Sequence, residues 1–342
     1  MKEETPDEKT AIQGEMLRNR IKKRYRHLRK WARRIGTDVF RLYDRDIPEI
    51  PLVLDFYGDA VSGALYRRPY DKEAEEEDRW LEVMEGAVAE ALEIDRDRVF
   101  LKRRERQRGK AQYRQLGNRG FEREVHEGDL RFRVNLSDYL DTGFFPDRRR
   151  MRGMVRAEAA GKRILNLFCY TAAFSVSAAC GGAAEVDSVD MSRTYLEWAA
   201  ENFALNRLTA QRVPEGLLIA RRGHGGLSPL RLIQAEVRTF LEEARRARLR
   251  WDAVILDPPA FSNSKRMKGV LDIQRDYRPL IAQCLSLLNP GGKLWFSVTA
   301  RHFRLDAEEF PGWEVRDLSA LMEDEDFRGK RLPGCFSFTR PG

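Results

Sequence analysis

From about residue 160 onwards, short apolar runs alternate with segments of helical periodicity, and this alternation constrains the fold more than any other feature. The first four runs are each followed by a helical segment, whereas two runs near the C-terminus have no long helix between them. Seven strands are predicted, in the order RILNLF, EVDSVD, LRLIQAE, WDAVILD, KLWFSV, WEVRDL and CFSFTR. The pattern predicts an α/β fold with a mostly parallel, doubly wound sheet and an antiparallel edge.

Acidic residues end three successive predicted strands. Asp190 closes the second strand, about 20 residues after the turn that follows the first, which is the spacing of an acid that reaches a nucleotide ribose. Glu236 closes the third strand and is a candidate for an adenine amino group, and Asp257 closes the fourth. Asp190 and Glu236 could each instead cap the following helix. Taken together, the three acids favour a nucleoside site.

The sequence has no phosphate-binding loop to accompany such a site. Neither G-x-x-x-x-G-K-[ST] nor a G-x-G-x-x-G after the first predicted strand is present, and Gly291-Gly292-Lys293 is interpreted as a turn. Nucleotides that carry a pyrophosphate, such as NAD and ATP, normally require such a loop. A nucleoside site without one favours S-adenosylmethionine as the cofactor.

The N-terminal region, residues 1–135, is predicted to be a basic α+β domain, followed by the α/β domain over residues 136–342. The 342-residue chain has a net charge of +8, and residues 17–34 hold ten Lys or Arg and no acid. In that helix the apolar residues recur at helical spacing, at Leu17, Ile21, Tyr25, Leu28 and Ala32. The basic face is either a solvated surface or an RNA-binding surface.

Two strand-like hairpins, at 51–68 and 122–136, and an acidic helix over 72–93 complete the N-terminal region. Residues 98–123 form a second basic stretch, with ten Lys or Arg against two Glu. The candidate RNA contacts in the two basic stretches are Lys22, Lys23, Arg26, Arg103, Arg104, Arg106 and Lys110.

The cysteines and histidines argue against a metal site. Four cysteines and four histidines are scattered, without C-x-x-C or H-E-x-x-H spacing, so reduced thiols in a cytoplasmic protein without metal are expected. The charged N-terminus predicts no signal peptide, and no apolar run reaches the roughly 20 residues of a membrane span. The oligomeric state cannot be inferred from the sequence.

Several segments resemble a known family. Residues 166–206, which begin NLFCYTAAFSVSAAC, together with DPPAFSNSKRM at 257–267, resemble class I S-adenosylmethionine-dependent methyltransferases with a Rossmann-like domain. The resemblance is closer to the guanine-N7 (RlmK-type) half of the bifunctional 23S rRNA methyltransferases and more distant to the RlmI family of cytosine-C5 rRNA methyltransferases. Residues 135–152, RRERQRGKAQY and VHEGDLRFRVN contribute, so the resemblance covers most of the chain from about Arg18.

The resemblance implies a set of site residues. Asp190 would hold the ribose and Glu236 the adenine amine. Asp257, Pro258, Pro259 and Phe261 would form the reactive end, with Phe261 stacked on an extruded base and Asp257 accepting a base N–H. The remaining implied cofactor contacts are Phe145, Arg149, Phe168, Cys169, Tyr170, Thr171, Met191 and Val237. Without the resemblance, DPPAF would equally suit a rigid turn after a strand.

The sequence departs from the family pattern at a few positions. Ala172 stands where the family usually has Gly, and Thr299 and Ala300 stand where the guanine-N7 type typically has two Asn. Pro146 and Arg148 replace the common Leu and His. These departures bear on the guanine target more than on the cofactor.

The chemistry of the target atom separates the functional hypotheses. Cytosine-C5 methylation needs a nucleophile, normally a cysteine after the fifth strand, and KLWFSVTARHF has none. Guanine N7 has a free lone pair and no proton to lose, so positioning is sufficient. Together with the resemblance, this chemistry favours a 23S rRNA (guanine-N7)-methyltransferase. Methylation of an exocyclic amine (guanine N2 or adenine N6) and a non-catalytic RNA-binding or ribosome-assembly protein remain as alternatives.

Overall fold

A computed structural model describes residues 5–66, 73–104, 117, 119–213, 228–262, 269–300 and 303–340. The contacts divide the chain into two compact units that interleave along the sequence. The first consists of Met1–Asp129, Val134–Thr142 and Glu325–Lys330, and the second of Leu130–Arg133, Gly143–Asp324 and Arg331–Gly342. The predicted domain boundary between residues 135 and 136 stays a prediction.

The first unit contains two long helices and a four-stranded sheet. The helices are α1 (Pro6–Ile35) and α2 (Ala74–Leu92), and the strands are β1 (Val39–Asp44), β2 (Leu52–Tyr57), β3 (Ala60–Tyr66) and β4 (Val99–Arg104). The strands lie in sequence order; β2 is antiparallel to β1 and β3, whereas β4 is parallel to β3. The hairpin predicted at 51–68 is therefore confirmed.

Helix α1 begins well before the basic stretch that predicted it. Thr5 accepts a hydrogen bond from the backbone of Glu8, whose carboxylate accepts one from the Thr5 backbone, and Pro6 occupies the first turn. Gly36 ends the helix in the left-handed conformation. The predicted apolar stripe is confirmed: Leu17, Ile21, Leu28 and Ala32 are buried and Tyr25 packs against the same core.

A second hairpin follows, formed by β5 (Glu122–Glu127) and β6 (Leu130–Asn135), in agreement with the prediction for residues 122–136. The turn between the two strands contains Gly128 at a φ of +64°, where glycine avoids the steric cost of a Cβ.

The second unit is built on one large sheet. Its helices are α3 (Arg149–Ala157), α4 (Ala173–Cys180), α5 (Arg193–Leu205), α6 (Val237–Arg246) and α7 (Ile273–Ser286). The sheet strands are β7 (Arg163–Leu167), β8 (Glu185–Asp190), β9 (Gln211–Val213), β10 (Leu230–Gln234), β11 (Trp251–Leu256), β14 (Leu288–Val298), β15 (Glu314–Asp317) and β16 (Gly334–Thr339). A small separate pair consists of β12 (Phe261–Ser262) and β13 (Leu271–Asp272).

The strand order is β15-β16-β14-β11-β7-β8-β10-β9. Strand β16 is antiparallel to both of its neighbours, β15 and β14, whereas each neighbouring pair from β14 to β9 is parallel. The mostly parallel, doubly wound α/β architecture is therefore confirmed. The count of seven strands is wrong: the described residues place eight in this sheet. The additional strand β9 has three residues, of which only Val213 is buried, so its sequence lacks a recognisable apolar run.

Among the described residues, no helix has both the length and the apolar character needed to cross a membrane.

Candidate active site

The sheet reverses its winding direction between β7 and β11. From β7 the chain proceeds to β8 and β10 on one side, and afterwards to β11 and β14 on the other. Leu167 is in register with both Val189 and Leu256, so the residues that follow these three strands emerge at the same edge. Ligands of open α/β sheets bind at this kind of switch point. The structure therefore brings together the segments that contain Phe168, Asp190 and Asp257.

The loop after β7 has an unusual backbone. Phe168, Tyr170 and Ala172 have φ values of +55°, +54° and +63°. The left-handed conformation costs a residue with a Cβ roughly 1–2 kcal/mol. Three such residues within five positions persist only where surrounding contacts hold them, and strained backbone of this kind is frequent at functional sites.

Contacts from two neighbouring segments hold the loop. The Thr171 hydroxyl donates to the Gly143 carbonyl at 2.6 Å, and the Asn202 amide donates to the Thr171 carbonyl at 2.8 Å. The other end of the Asn202 amide accepts from the Arg133 N–H at 2.8 Å. Asn202 is fully buried. Sequence reasoning missed Asn202 and Gly143, because neither follows a strand of the sheet.

The Asp190 carboxylate lies beside this loop. It accepts from the backbone N–H of Tyr170 at 3.0 Å and of Ser192 at 2.8 Å. The cap of α5 is Ser192, whose hydroxyl accepts from Tyr195 N–H, so capping does not account for Asp190. Burial raises the pKa of Asp190 to about 6, despite backbone hydrogen bonds that lower it. A buried carboxyl group whose pKa is raised in this way is typical of ligand-binding sites.

Glu236 both caps a helix and retains an acceptor. Its Oε2 accepts from Thr239 N–H at 2.9 Å, which confirms the capping interpretation. Its Oε1 is buried without a hydrogen-bond partner among the described residues. A buried oxygen of this kind is costly unless a ligand donates to it. Val237 is buried in the first turn of α6, and the Met191 carbonyl accepts from Gln234.

Asp257 is engaged by a residue that the sequence reasoning did not select. The Arg148 Nε lies 3.3 and 3.2 Å from the two Asp257 oxygens, and Nη2 lies 3.0 Å from Oδ1. Arg148 Nη1 also donates to Asp147 at 2.9 Å. Although burial alone would lower the pKa of Arg148, the two carboxylates raise it above its ordinary value. The guanidinium is therefore a permanent cation between two acids.

The sequence marked Arg148 only as a departure from the family pattern and did not link it to Asp257. Arg148 is the first of three consecutive arginines and lies 109 positions from Asp257. Its neighbour Arg149, predicted to contact the cofactor, instead lies 3.1 Å from Asp324. The role of Arg149 in cofactor binding stays a prediction.

The DPPAF loop leaves one aromatic side chain open. Pro258 is buried and Pro259 partly buried, whereas Phe261 is 46% exposed. Exposure of this size is unusual for a phenylalanine and leaves the ring available for stacking. The NSKRM end of this segment falls within residues 263–268, which lie outside the described residues.

A second aromatic group borders the loop after β7. The Phe145 ring, 39% exposed, lies 5.4 Å from the Tyr170 ring, which makes an edge-on contact with Tyr195 at 4.5 Å. Phe145 is thus placed beside the loop, as the resemblance implied, although its contact with a cofactor stays a prediction.

Three of the four cysteines, Cys169, Cys284 and Cys335, are buried. Burial raises the pKa of Cys335 to about 12 and that of Cys284 further. Cys169, the third of them, precedes Tyr170 in the loop, and burial raises its pKa well above the ordinary value. A neutral thiol is a poor nucleophile. No group of His, Cys, Asp and Glu suited to a metal ion occurs in the described part of the chain.

The predicted RNA contacts divide into three sets. Lys22, Lys23 and Arg26 are exposed on α1, with no ion-pair partner among the described residues. Arg103 lies 2.5 Å from Asp78 and 3.1 Å from Glu77, so its charge is already compensated. Arg106 and Lys110 lie outside the described residues, as does the side chain of Arg104.

Comparison with known proteins identifies similar chains. The large-subunit rRNA methyltransferase K of Neisseria meningitidis serogroup B is 42% identical over 318 residues, which are 93% of this chain and 85% of that protein. The K/L methyltransferase of Pseudomonas fluorescens is 42% identical over 314 residues, or 92% of this chain and 39% of that protein. The chain thus spans about two fifths of the length of its K/L relatives.

Two solved structures share the fold. SMU.776, complexed with SAH, superimposes with a TM-score of 0.69 at 23% identity, covering 95% of this chain and 81% of that one. The SAM-dependent methyltransferase of Agrobacterium tumefaciens gives 0.57 at 19% identity, with 89% and 91% covered. The model of the family described as S-adenosylmethionine-dependent methyltransferase matches residues 39–306. With most of its length matched by that model, the chain belongs to the family of S-adenosylmethionine-dependent methyltransferases.

Proposed function

We propose that the protein methylates N7 of a guanine in 23S rRNA. The curated relatives named for large-subunit rRNA methylation support the substrate class. The exposed Phe261, which the DPPAF loop places just after β11, supports a base that enters this edge of the sheet. The observation that favours a ring nitrogen over an exocyclic amine is that the Asp257 carboxylate already accepts hydrogen bonds from Arg148.

The acids at the strand ends suit the cofactor. S-adenosylmethionine supplies a methyl group on a positively charged sulfonium and presents a ribose diol and an adenine amine as donors. The Asp190 carboxylate would accept from the diol, and the unpartnered Glu236 Oε1 would accept from the amine. The loop Phe168–Thr171 would line the methionine side. Each donor thus has an acceptor of the right chemistry.

The chain would act on the base by positioning it. Phe261 would stack on an extruded guanine, and stacking of this kind is worth roughly 1–3 kcal/mol. Pro258 and Pro259 restrict the backbone and keep the Phe261 ring at the end of β11. Transfer to N7 then requires alignment with the methyl group, for which a rigid site is sufficient.

The other target atoms fit the site less well. Cytosine-C5 chemistry needs a thiolate, whereas Cys169, Cys284 and Cys335 have raised pKa values. An exocyclic amine must lose a proton, and the nearest candidate base, Asp257, already accepts three N–H···O contacts from Arg148. Guanine N7 needs neither group.

Comparison of rRNA from two strains tests the function. The 23S rRNA of a strain that lacks this protein should lose one 7-methylguanosine that the parent contains, and a plasmid copy should restore it. Retention of every 7-methylguanosine together with loss of 2-methylguanosine or 6-methyladenosine would assign the protein to an exocyclic amine instead.

The exposed cations of α1 are proposed to bind RNA phosphates. Replacing Lys22, Lys23 and Arg26 with Gln should reduce the slope of log affinity against log salt by about 2, because each lost phosphate contact removes about 0.7–0.9. Filter binding to protein-free 23S rRNA at several salt concentrations measures this slope.

A matched triple variant controls for net charge. Arg245, Arg246 and Arg248 are exposed near the C-terminal end of α6, at the opposite edge of the sheet from the candidate site. Replacing them with Gln removes the same charge and should leave the slope nearly unchanged. Equal slopes for the two triple variants would assign α1 a structural role.

A further inference from the structure

Arg148 lies at the centre of a buried charge cluster that no comparison assigns to a function. Its side chain is 8% exposed and lies between Asp147, which is 21% exposed, and Asp257, which is 16% exposed. One guanidinium between two carboxylates leaves a net charge of −1 on the cluster. The cluster belongs to the reactive end of the site, since Asp257 begins the DPPAF loop.

The geometry of the cluster determines what Asp257 can do. A guanidinium donates five N–H groups and accepts no proton, and its planar fork matches a carboxylate. Both Asp257 oxygens face that fork at 3.0 to 3.3 Å. Arg148 thus engages both oxygens of this carboxylate in charge-assisted hydrogen bonds. Asp257 can therefore contribute charge but not general-base catalysis.

The two kinds of acceptor nitrogen make different demands. At an exocyclic amine, the N–CH3 bond forms, the S–CH3 bond breaks and an amine proton must pass to a base. At a ring nitrogen, the same bonds form and break, no proton leaves, and the positive charge of the sulfonium moves onto the purine ring. The second reaction needs a nearby negative charge and no base.

We propose that Arg148 is a specificity-determining residue that restricts this site to an acceptor nitrogen without a proton. It withholds Asp257 from proton transfer, while the net negative charge of the cluster stabilises the cationic methylated ring. This inference rests on the proposed function, because it presumes that a purine base occupies the end of β11.

A matched arginine in the same unit allows a controlled test. Arg231 is 6% exposed and lies 2.5 Å from both Asp187 and Glu185, so it is also a buried guanidinium between two acids. It lies near the amino end of β10, away from the candidate site. Arg231→Gln therefore reproduces the loss of a buried ion pair without touching Asp257.

The experiment compares product ratios for wild type, Arg148→Gln and Arg231→Gln on protein-free 23S rRNA from a strain lacking the protein. Mass spectrometry of the nucleosides gives the ratio of 2-methylguanosine and 6-methyladenosine to 7-methylguanosine. A general base is worth roughly 10²–10⁴-fold, so freeing Asp257 should raise this ratio at least about tenfold in Arg148→Gln. Arg231→Gln should give the wild-type ratio of products, whatever its overall rate of methylation.

A ratio that is the same in Arg148→Gln as in wild type overturns the inference. If Arg148→Gln does not fold, Arg148→Lys keeps the charge but loses the fork, and an unchanged ratio in that variant overturns the inference equally. The products of the wild-type enzyme test the proposed function separately, so the failure of one is distinguishable from the failure of the other.

Discussion

Replacing Asp190 with Asn is expected to weaken S-adenosylmethionine binding at least about 100-fold and to remove a loss of stability that wild type shows between pH 5 and pH 8. A carboxylate that accepts from both ribose hydroxyls makes two charge-assisted hydrogen bonds, each worth about 1.5–3 kcal/mol. The change in the pH dependence of stability has a different cause. Burial raises the pKa of Asp190 from 3.8 to about 6, so ionisation costs the folded state about 3 kcal/mol.

The sign of the pH dependence follows from that raised pKa. Between pH 3.8 and 6 the folded protein retains a proton that the unfolded chain has released, so stability falls as pH rises through this window. Asparagine does not titrate. Relative to wild type, Asp190→Asn should thus gain about 1.4 kcal/mol of stability between pH 5 and pH 8, although its amide can accept from only one of the two backbone N–H groups that donate to Asp190. Denaturant unfolding at both pH values measures it.

Asp306→Asn provides the matched control. Asp306 is exposed and caps a short 3-10 turn of the same unit, so the variant removes one carboxylate from the surface. It should change neither cofactor affinity nor the pH dependence of stability. Calorimetric titration that finds wild-type affinity in Asp190→Asn would refute the assignment of Asp190 to the ribose.

Gly143→Ala is expected to destabilise the protein by about 3–5 kcal/mol. Gly143 has a φ of +93°, and a Cβ there would lie 2.6 Å from Cη2 of Trp198 and closer still to Cζ2. The indole cannot withdraw, because it is buried and its Nε1 donates to the Arg133 carbonyl at 2.9 Å. Since the Gly143 carbonyl holds the Thr171 hydroxyl, cofactor affinity should fall as well.

Gly153, ten residues later, provides a control for replacing a glycine with alanine where no steric clash results. Gly153 lies on the exposed face of α3, and a Cβ there would meet no atom within 4 Å among the described residues. Gly153→Ala should stabilise the protein by up to about 1 kcal/mol through helix propensity. Equal unfolding midpoints for Gly143→Ala and wild type would show that the backbone accommodates a side chain there.

The sheet was predictable because its strands obey a strong periodicity. Each predicted strand from RILNLF to CFSFTR is present, and the parallel strands at the centre of the sheet were the easiest to predict because their burial requires apolar runs. Shorter elements were not predicted from the sequence. β9 buries one side chain, and the start of α1 depends on a capping interaction between Thr5 and Glu8 rather than on an apolar stripe.

The candidate site was predictable only in part. Asp190, Glu236 and Asp257 could be selected because topology places the carboxyl ends of parallel strands at one edge. Arg148 and Asn202 could not, because each acts through a contact between segments distant in sequence. Glu236 shows a further difficulty, since a single carboxylate caps α6 with one oxygen and leaves the other for a ligand.

The nucleoside produced in vitro tests the central claim most directly. The purified protein is incubated with S-adenosylmethionine and protein-free 23S rRNA from a strain lacking it, and the digested RNA is examined by mass spectrometry. The proposed function predicts 7-methylguanosine as the new nucleoside in wild type, and far less of it in Asp190→Asn at limiting S-adenosylmethionine. Formation of 2-methylguanosine or 6-methyladenosine in place of 7-methylguanosine, or of no new nucleoside, would contradict the account.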